Sequence, residues 1–266
     1  MDRSPLLSVV VICWNSLERL RQLLDSVPDA LAGIPHELIL IDNGSTDGTA
    51  DYIASFHPEI IYRRLGSNRG VAAARNRGIA LAKGDYIWLL DDDTVINSEA
   101  VGAMLRHMEA NPQCGICGCA LRTPEGELQQ SYKPFPSVGV KLRNVLGIGK
   151  ADPYANAMAL GKPFSPFYII GACQLIRRKT LEEVGPLDER IFYGPEDADF
   201  CLRAARRGWS TVYLPDVSIT HHWKRITTRR PLSKIGRAHI RGLLHFAGLL
   251  QRYDAFSAVS PLCPIF

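Results

Sequence analysis

Apolar and polar positions follow two distinct patterns along the first 120 residues. Predominantly apolar runs at residues 8–13, 37–41 and 86–90, the first of them largely β-branched, are typical of strands buried on both faces of a sheet. Between these runs, apolar residues recur at helical spacing from Leu17 and again beyond Ser98. This alternation of strand and helix predicts a doubly wound α/β fold with a mostly parallel sheet flanked by helices.

The pattern changes in the second half of the chain. From residue 122 to 166 the apolar residues show no strong periodicity, and Pro, Gly and Lys are frequent. A segment of this kind is either a lid or binding loop, or a disordered insertion. Residues 168–176 predict another buried strand, in which Gly171 permits close backbone approach. A helix near Glu196 and short strands at 211–219 follow.

Polar side chains stand at the predicted carboxyl ends of the strands. Asn15 and Asp42 follow the first two strands, and Asp91, Asp92 and Asp93 follow the strand at 86–90. Ligands of doubly wound sheets bind at this edge, and clustered carboxylates there can hold a divalent cation beside phosphates. The sequence therefore predicts a nucleotide-diphosphate site with a metal. The alternative for an isolated acidic triplet is a solvated turn that ends a strand.

Two further polar clusters have alternative interpretations. Glu196 and Asp197 open a helix that ends in arginines, so helix capping alone is one explanation and a role in a site is the other. His221 and His222 follow the last strand, where paired histidines are either hydrogen-bonded groups or, near an acidic metal site, a nitrogen ligand.

Residues 42–48 and 68–78 are also ambiguous. The first segment lacks the ligands of an EF-hand, which leaves a turn that caps a helix or a pocket in which Asp42 accepts hydrogen bonds from a nucleotide. In the second, small residues allow the helix to pack closely on the sheet. Arg75 and Asn76 either reach the nucleotide or brace the aspartate loop.

Charge is distributed unevenly over the 266 residues. The formal net charge is +4, but residues 224–266 contain eight basic residues and one acidic residue, so the preceding body is mildly acidic. Nucleic acid is therefore not expected as a partner. The seven cysteines lie mostly in apolar patterns and predict buried thiols, and Cys114, Cys117 and Cys119 lack the further ligands of a zinc site. With no signal-peptide pattern, a cytoplasmic location is expected.

The basic tail has an amphipathic helical pattern. Leu232, Ile235, His239, Leu243, Phe246 and Leu250 share one stripe, and Lys234, Arg237, Arg241 and His245 lie on or near another face. The tail, over residues 224–252, either lies on an anionic membrane or docks on the preceding domain. A peripheral position on the inner face of the plasma membrane would suit the first alternative.

The order and spacing of five motifs resemble the inverting family 2 glycosyltransferases of GT-A (Rossmann-like) fold, particularly their bacterial rhamnosyltransferase-like branch. The motifs are residues 10–15 (VVICWN), 41–48 (IDNGSTDG), 68–78 (NRGVAAARNRG), 91–93 (DDD) and 194–204 (GPEDADFCLRA). The resemblance implies a GT-A domain over residues 1–223, with a nucleotide-sugar half (1–121) and an acceptor and catalytic-base half (122–223), followed by the tail at 224–266.

The resemblance also implies roles for individual residues. Asp93 and Asp91, with His221 or His222, would hold Mn²⁺ or Mg²⁺, and Asp197 would be the catalytic base, supported by Glu196. The nucleotide sugar would lie against Asn15, Asp42, Asn43, Arg75, Asn76, Asp91 and Asp92, and the acceptor side would include Arg203, Gly171 and Ala172.

The implied activity is the transfer of a sugar from a nucleotide-diphosphate donor, such as dTDP-rhamnose or a UDP-hexose, to a hydroxyl of a glycan or lipid-linked acceptor in bacterial surface polysaccharide synthesis. The leaving diphosphate needs positive charge, which a divalent cation held by the first acidic cluster supplies, and the attacking alcohol needs a base, which the second cluster supplies. The alternatives are a retaining transferase or nucleotidyltransferase with the same metal chemistry, or a catalytically silent binding subunit. The silent subunit would be expected to lack these carboxylates.

Overall fold

The computed structural model describes residues 5–133, 152–222 and 234–257, and in the last segment the side chains of residues 236–249. Part of the predicted lid, the start of the predicted tail and the side chains of Leu232, Ile235 and Leu250 lie outside the described residues.

The described strands, labelled in chain order, are β1 (Leu7–Cys13), β2 (His36–Asp42), β3 (Ile61–Arg64), β4 (Tyr86–Asp91), β5 (Thr94–Val95), β6 (Cys114–Arg122), β7 (Leu128–Gln129), β8 (Tyr132–Lys133), β9 (Tyr168–Ile169), β10 (Cys173–Arg177) and β11 (Ser210–His221). The described helices are α1 (Leu17–Ala30), α2 (Thr49–Phe56), α3 (Val71–Leu81), α4 (Ser98–Ala110), α5 (Ala155–Ala159), α6 (Arg178–Val184), α7 (Glu196–Arg206) and α8 (Lys234–Ser257).

The main sheet has the strand order β3-β2-β1-β4-β10-β6-β11-β5, with β7 paired to β6. Strands β1 to β4 are parallel, as the sequence predicts, and β11 is parallel to β6. Strand β10 runs antiparallel between β4 and β6 and joins the two parallel parts. The predicted α/β class and the flanking helices are confirmed.

Hydrophobic cores cover both faces of this sheet, which is why its central strands are continuously apolar. Val9 and Val11 of β1 face one core, to which α1 and α4 contribute, whereas Val10 faces the other, to which α3 and α7 contribute. Helix α3 lies so close to β1 that a Cβ added at Gly78 would approach Val10 Cγ1 within 2.2 Å. The small residues of this motif therefore do allow close packing on the sheet.

Two predicted strand boundaries are wrong. The run at 168–176 is split into β9 and β10, because the Gly171 peptide binds side chains instead of a neighbouring strand: its N–H donates to Asp197 and its carbonyl accepts from Arg75. The two short strands predicted at 211–219 are parts of the single strand β11, whose pairing with β6 shifts register between Leu214 and Ser218.

The predicted buried thiols are confirmed for Cys13, Cys114, Cys117, Cys119, Cys173 and Cys201, all of which are free. The sulfur atoms of Cys119 and Cys173 are 3.7 Å apart on neighbouring strands. Burial raises the pKa of Cys201 to about 12, so this thiol stays protonated and inert.

Helix α8 packs against the loop that precedes α7. His245 Nε2 is 3.0 Å from Asp188 Oδ2, His239 Nδ1 is 3.4 Å from the Tyr193 carbonyl, and a Cβ added at Gly242 would meet the Gly194 carbonyl at 2.6 Å. Phe246 is buried against α7. The described part of the tail is thus a docked helix, and none of the described helices has the length and hydropathy needed to cross a bilayer.

Candidate functional site

Three loops meet at the carboxyl edge of the parallel strands. In the sheet register Cys13 lies beside Asp42, and Ile12 lies beside Asp91, so the segments that follow β1, β2 and β4 are neighbours. The convergence that the sequence predicts for Asn15, Asp42 and the aspartate triplet is therefore confirmed by the topology.

Asp91, Asp93 and His221 form a group that could hold a metal ion, because one potential ligand atom from each lies within 4.8 Å of the others. The end of β4 supplies Asp91, the turn between β4 and β5 supplies Asp93, and the end of β11 supplies the imidazole. His221 Nδ1 is 2.7 Å from Gln129 Oε1, which leaves Nε2 facing Asp93 Oδ1 at 3.2 Å. Of the two candidate histidines, the geometry favours His221. His222 instead donates its backbone N–H to the Asp93 carbonyl.

The charges in this group favour an ionised carboxylate. Burial alone would raise the pKa of Asp93, but the hydrogen bond with His221 and the charges of His221 and Arg19 outweigh it and lower the pKa. Burial would conversely lower the pKa of His221, and Asp93 raises it overall. The two carboxylates supply the oxygen ligands that suit Mn²⁺ or Mg²⁺, and the imidazole can supply a further nitrogen ligand, so the residues present fit the predicted cation.

Asp92 lies apart from the metal group. Its Oδ2 accepts a hydrogen bond from the Ser16 hydroxyl and a longer one, 3.3 Å, from the Trp14 N–H. Burial raises the pKa of Asp92 to about 7, with Asp93 and Asp91 adding to the rise and Ser16 opposing it. The described contacts of Asp92 fix the β1–α1 loop, and the predicted contact with the nucleotide sugar remains a prediction.

Arg75 joins the two acidic clusters. Its Nη2 donates to Asp91 Oδ1 at 2.7 Å and to the Gly171 carbonyl at 2.8 Å, and its Nη1 donates to Glu196 Oε1 at 3.0 Å. The side chain is only 3% exposed. Of the two roles that the sequence allows, these contacts support bracing of the aspartate loop. The positive charge compensates one carboxylate from each cluster.

The candidate catalytic base stands at the start of α7. Asp197 accepts hydrogen bonds from the N–H groups of Ala198, at 2.7 Å, and Gly171, at 3.0 Å. Burial raises its pKa, and Arg75 opposes the rise. Glu196 is buried, and its pKa is raised to about 7 by burial and by Asp197 against the charge of Arg75. Glu196 Oε2 has no hydrogen-bond partner among the described residues.

Gly171 leaves no room for a side chain at this junction. A Cβ there would lie 2.1 Å from Arg75 Nη1. Ala172, which follows it, is 3% exposed, and Gly171 is also buried, with its N–H and carbonyl bound to protein side chains, so the acceptor contacts predicted for these two residues remain predictions. The predicted close backbone approach at Gly171 is confirmed, and its partners are protein groups.

Asp42 and Asn43, which are predicted to contact the nucleotide sugar, form hydrogen bonds with neighbouring protein groups. Asp42 has no exposed surface, and its carboxylate accepts from the Ser45 N–H and the Tyr62 hydroxyl. Asn43 accepts from the Arg69 N–H through Oδ1 and donates to the Gly70 carbonyl. These contacts fix the β2–α2 loop and the start of α3, and the predicted contact with the nucleotide remains a prediction.

Asn15 remains at the surface of the edge. It has a positive φ of 52°, and its Oδ1 accepts from the Thr46 N–H while its own N–H donates to the Ser45 hydroxyl. A left-handed backbone at a non-glycine residue marks a constrained turn, which asparagine tolerates better than most residues.

Asn76 and Arg203 have contacts other than those predicted. Asn76 donates to the Leu187 carbonyl and to Glu189, and accepts from the Leu187 N–H, so both polar atoms of its amide brace the loop before α7. Arg203 donates to Asp199 and to the carbonyls of residues 184 and 186. These contacts anchor α7. The nucleotide contact predicted for Asn76 and the acceptor-side role predicted for Arg203 remain predictions.

Sequence reasoning misses two residues of the metal group. Gln129 orients His221 from the patternless segment, and its Nε2 donates to the His221 carbonyl. Arg19 lies on the polar face of α1 and reaches Asp93 Oδ2 with Nη1 at 3.1 Å. Neither residue belongs to a motif, and an arginine on a helix surface is usually solvated, so no local signal marks them.

The comparisons with known proteins agree with this geometry. Residues 8–185 match the family model Glycosyl transferase family 2. The N-acetylglucosaminyl-diphospho-decaprenol L-rhamnosyltransferase of Mycobacterium tuberculosis is 29% identical over 253 residues, which span 89% of this chain and 82% of the relative. The uncharacterized glycosyltransferase YfnE of Bacillus subtilis is 33% identical over 251 residues, spanning 80% of this chain and 64% of YfnE.

Solved structures share the fold at low sequence identity. GalNAc-T7 with UDP, GalNAc and Mn²⁺ has a TM-score of 0.64 at 16% identity, over 83% of this chain and 44% of its own. The mannosyltransferase PcManGT from Pyrobaculum calidifontis, in complex with GDP-Man and Mn²⁺, has a TM-score of 0.62 at 19% identity, over 98% of this chain and 77% of its own.

Proposed function

The chain belongs to glycosyltransferase family 2 and is a rhamnosyltransferase-like enzyme that uses a nucleotide sugar, and from this premise we propose that it catalyses metal-dependent transfer with inversion at the anomeric carbon. The observation that carries the proposal is the pair of acidic clusters joined by Arg75. Asp91, Asp93 and His221 make up one cluster, and Asp197 lies in the other.

The first cluster would hold the cation that stabilises the leaving group. As the glycosidic bond to the nucleotide breaks, the diphosphate oxygens gain negative charge. Asp91, Asp93 and His221 would hold Mn²⁺ or Mg²⁺, which as a Lewis acid neutralises that charge. The two carboxylates supply oxygen ligands of the type that these cations prefer, the imidazole can add a nitrogen ligand, and solved structures of the same fold contain Mn²⁺.

Asp197 would act as the general base for the nucleophile. An acceptor hydroxyl must lose its proton as its oxygen attacks the anomeric carbon, and a carboxylate fixed by two backbone N–H groups can accept that proton. Direct attack from the face opposite the leaving diphosphate inverts the anomeric configuration. Arg75 would keep the base loop and the metal loop in one arrangement during the reaction.

We propose dTDP-rhamnose or a UDP-hexose as the donor and a lipid-linked glycan as the acceptor. The support is the Mycobacterium tuberculosis relative, whose name specifies rhamnosyl transfer to N-acetylglucosaminyl-diphospho-decaprenol. The outer face of α8 would then lie on the anionic membrane that carries the acceptor. It exposes Ile240, Leu243 and Leu244 beside the exposed Arg237 and Arg241.

The anomeric configuration of the product tests the mechanism. The chain, Mn²⁺, an α- or β-linked donor of known configuration and a lipid-linked acceptor should yield a product whose new linkage has the opposite configuration, read from the one-bond carbon–proton coupling by NMR. Retention would refute the single-displacement mechanism, and release of pyrophosphate in place of nucleoside diphosphate would indicate a nucleotidyltransferase.

A further inference from the structure

Arg19 brings a permanent positive charge to the candidate metal group. Its Nη1 donates to Asp93 Oδ2 at 3.1 Å and to the His222 carbonyl at 3.2 Å. The other oxygen of the same carboxylate faces His221 Nε2 at 3.2 Å. A guanidinium that remains charged at every physiological pH therefore lies beside a carboxylate with the chemistry of a metal ligand.

The position of Arg19 is set by the first turn of α1. The loop before this turn donates hydrogen bonds to Asp92 from the Trp14 N–H and the Ser16 hydroxyl. The Leu17 N–H donates to Asp47 Oδ2 at 2.9 Å. These contacts hold the turn against both the aspartate loop and the β2–α2 loop, so the approach of Arg19 to Asp93 is part of the folded framework.

Arg19 retains unused donors. Among the residues that the structure describes, its Nε and Nη2 have no hydrogen-bond acceptor, and its side chain is 25% exposed. It lines an open cavity of about 420 Å³ together with Asn15, Ser16, Leu17 and the carboxylates Glu18 and Asp47. The guanidinium can therefore keep its contact with Asp93 and still offer N–H groups to an anion bound beside the metal group.

A charge of this sign beside a metal ligand has two opposite effects. Without an anion, Arg19 and a divalent cation repel each other, which weakens the binding of the cation alone. With a diphosphate present, both positive charges contact the same anion, and arginine binds phosphate oxygens well. Arg19 would then strengthen nucleotide binding while it weakens binding of the free metal.

We propose that Arg19 binds the diphosphate of the donor directly and makes metal binding depend on the nucleotide. This inference rests on the proposed function, because it assigns Arg19 to the diphosphate of that same site. The negative charge of the leaving diphosphate would then be compensated both by the metal and by Arg19, a residue that no sequence motif marks.

Binding measurements on the full chain test this inference. The variants are Arg19→Met, Arg19→Gln and Arg19→Lys, and the matched control is Arg21→Met, which removes an arginine from the same helix whose described ion pair is with Glu18. Calorimetry and Mn²⁺ electron paramagnetic resonance would measure the binding of Mn²⁺ alone. The same methods would then measure the binding of dTDP, UDP and GDP in the presence of Mn²⁺, and of the corresponding monophosphates. Thermal unfolding would identify the variants that fold, and Arg19→Gln replaces Arg19→Met if the latter does not.

We expect opposite changes for the two kinds of ligand. Arg19→Met should weaken binding of the preferred nucleoside diphosphate about tenfold or more, from the loss of a charge-assisted contact. It should tighten Mn²⁺ binding in the absence of nucleotide by roughly threefold to tenfold. The affinity for the nucleoside monophosphate should not change. Arg19→Lys should lie between, and Arg21→Met should match the wild type.

Two outcomes would overturn the inference. If the affinities for free Mn²⁺ and for the diphosphate both weaken, Arg19 only holds Asp93 in place. If neither affinity changes, Arg19 neither binds the diphosphate nor affects metal binding. Failure of the wild-type chain to bind any of the three diphosphates with Mn²⁺ is a different result. It would contradict the proposed function itself, and the inference would fall with it.

Discussion

Asp197 differs from the other carboxylates of the site in its partners. It is held by two backbone N–H groups, whereas Asp91 and Glu196 are paired with Arg75, and Asp93 with His221 and Arg19. Hydrogen bonds from two N–H groups fix the orientation of a carboxylate without covering all of its lone pairs. This leaves Asp197 able to accept a proton from an acceptor hydroxyl.

Asp197→Asn should therefore remove catalysis and spare donor binding. We expect the transfer rate to fall about 10²- to 10⁴-fold, the usual contribution of a general base, with the affinity for the nucleotide sugar unchanged. Initial rates and calorimetry measure the two effects. Asp216→Asn, which changes an exposed aspartate of β11, is the matched control. Turnover at the wild-type rate in Asp197→Asn would end the assignment.

The pH dependence of catalysis should reflect the two adjacent acids of α7. Burial raises the pKa of Asp197, and that of Glu196 to about 7, so both are protonated at pH values where exposed carboxyl groups are already ionised. A base must be deprotonated, so kcat should rise with pH through a range that lies above the one in which exposed carboxyl groups ionise. Glu196→Gln removes a neighbouring negative charge and should shift this rise to lower pH. A profile that is flat over this range would contradict the explanation.

Arg75 should matter for stability as well as for activity. Its removal leaves Glu196 buried without a compensating charge, and breaking a buried ion pair in this way costs about 3–5 kcal/mol. We expect Arg75→Met to lower the free energy of unfolding by this amount in a denaturant titration near pH 8. Arg77→Met, on the exposed face of the same helix, should change it by less than about 0.5 kcal/mol. Equal stability of the two variants would refute the bridging role.

Among the secondary-structure elements, α8 combines two surfaces. Its inner side contacts Asp188, Tyr193 and Gly194, in the loop that leads to the candidate base. Its outer side exposes apolar and basic side chains. A helix with these two faces can dock on the domain and lie on a membrane at once, so the two alternatives for the tail are compatible.

The outer side of α8 can be tested separately. The double change Leu243→Glu and Leu244→Glu adds charge where both side chains are exposed, so it should leave thermal unfolding unchanged and abolish co-flotation with vesicles that contain anionic lipid. Neutral vesicles serve as the control for the electrostatic part. If the double variant floats as the wild type does, or if the wild type never floats, α8 is not the membrane contact.

The limits of sequence reasoning are visible in two elements. The apolar run at 168–176 predicts one strand, and the break at Gly171 is not visible because its hydrogen-bond partners, Arg75 and Asp197, are distant in sequence. Hydrophobic patterning likewise does not give strand direction, so the antiparallel insertion of β10 appears only in the folded sheet. Both features depend on tertiary contacts.

At the level of the whole molecule, the fold and the location of the site could be predicted. Strands buried on both faces have continuous apolar runs, and their carboxyl ends share one edge, so Asn15, Asp42 and the aspartates had to converge. The division of labour among those residues could not be predicted. Patterning does not distinguish a side chain that faces a ligand from one, such as Asn76, that is committed to a neighbouring loop.

The central claim is that this edge of the sheet transfers a sugar with the help of a metal. The most direct test supplies the full chain with a panel of nucleotide sugars and a lipid-linked acceptor, and measures release of nucleoside diphosphate with and without Mn²⁺ or Mg²⁺. We predict acceptor-dependent release from at least one donor, lost on chelation and in Asp93→Ala. Release at the same rate after chelation and in Asp93→Ala would contradict the metal site, and no release from any donor would contradict the proposed activity.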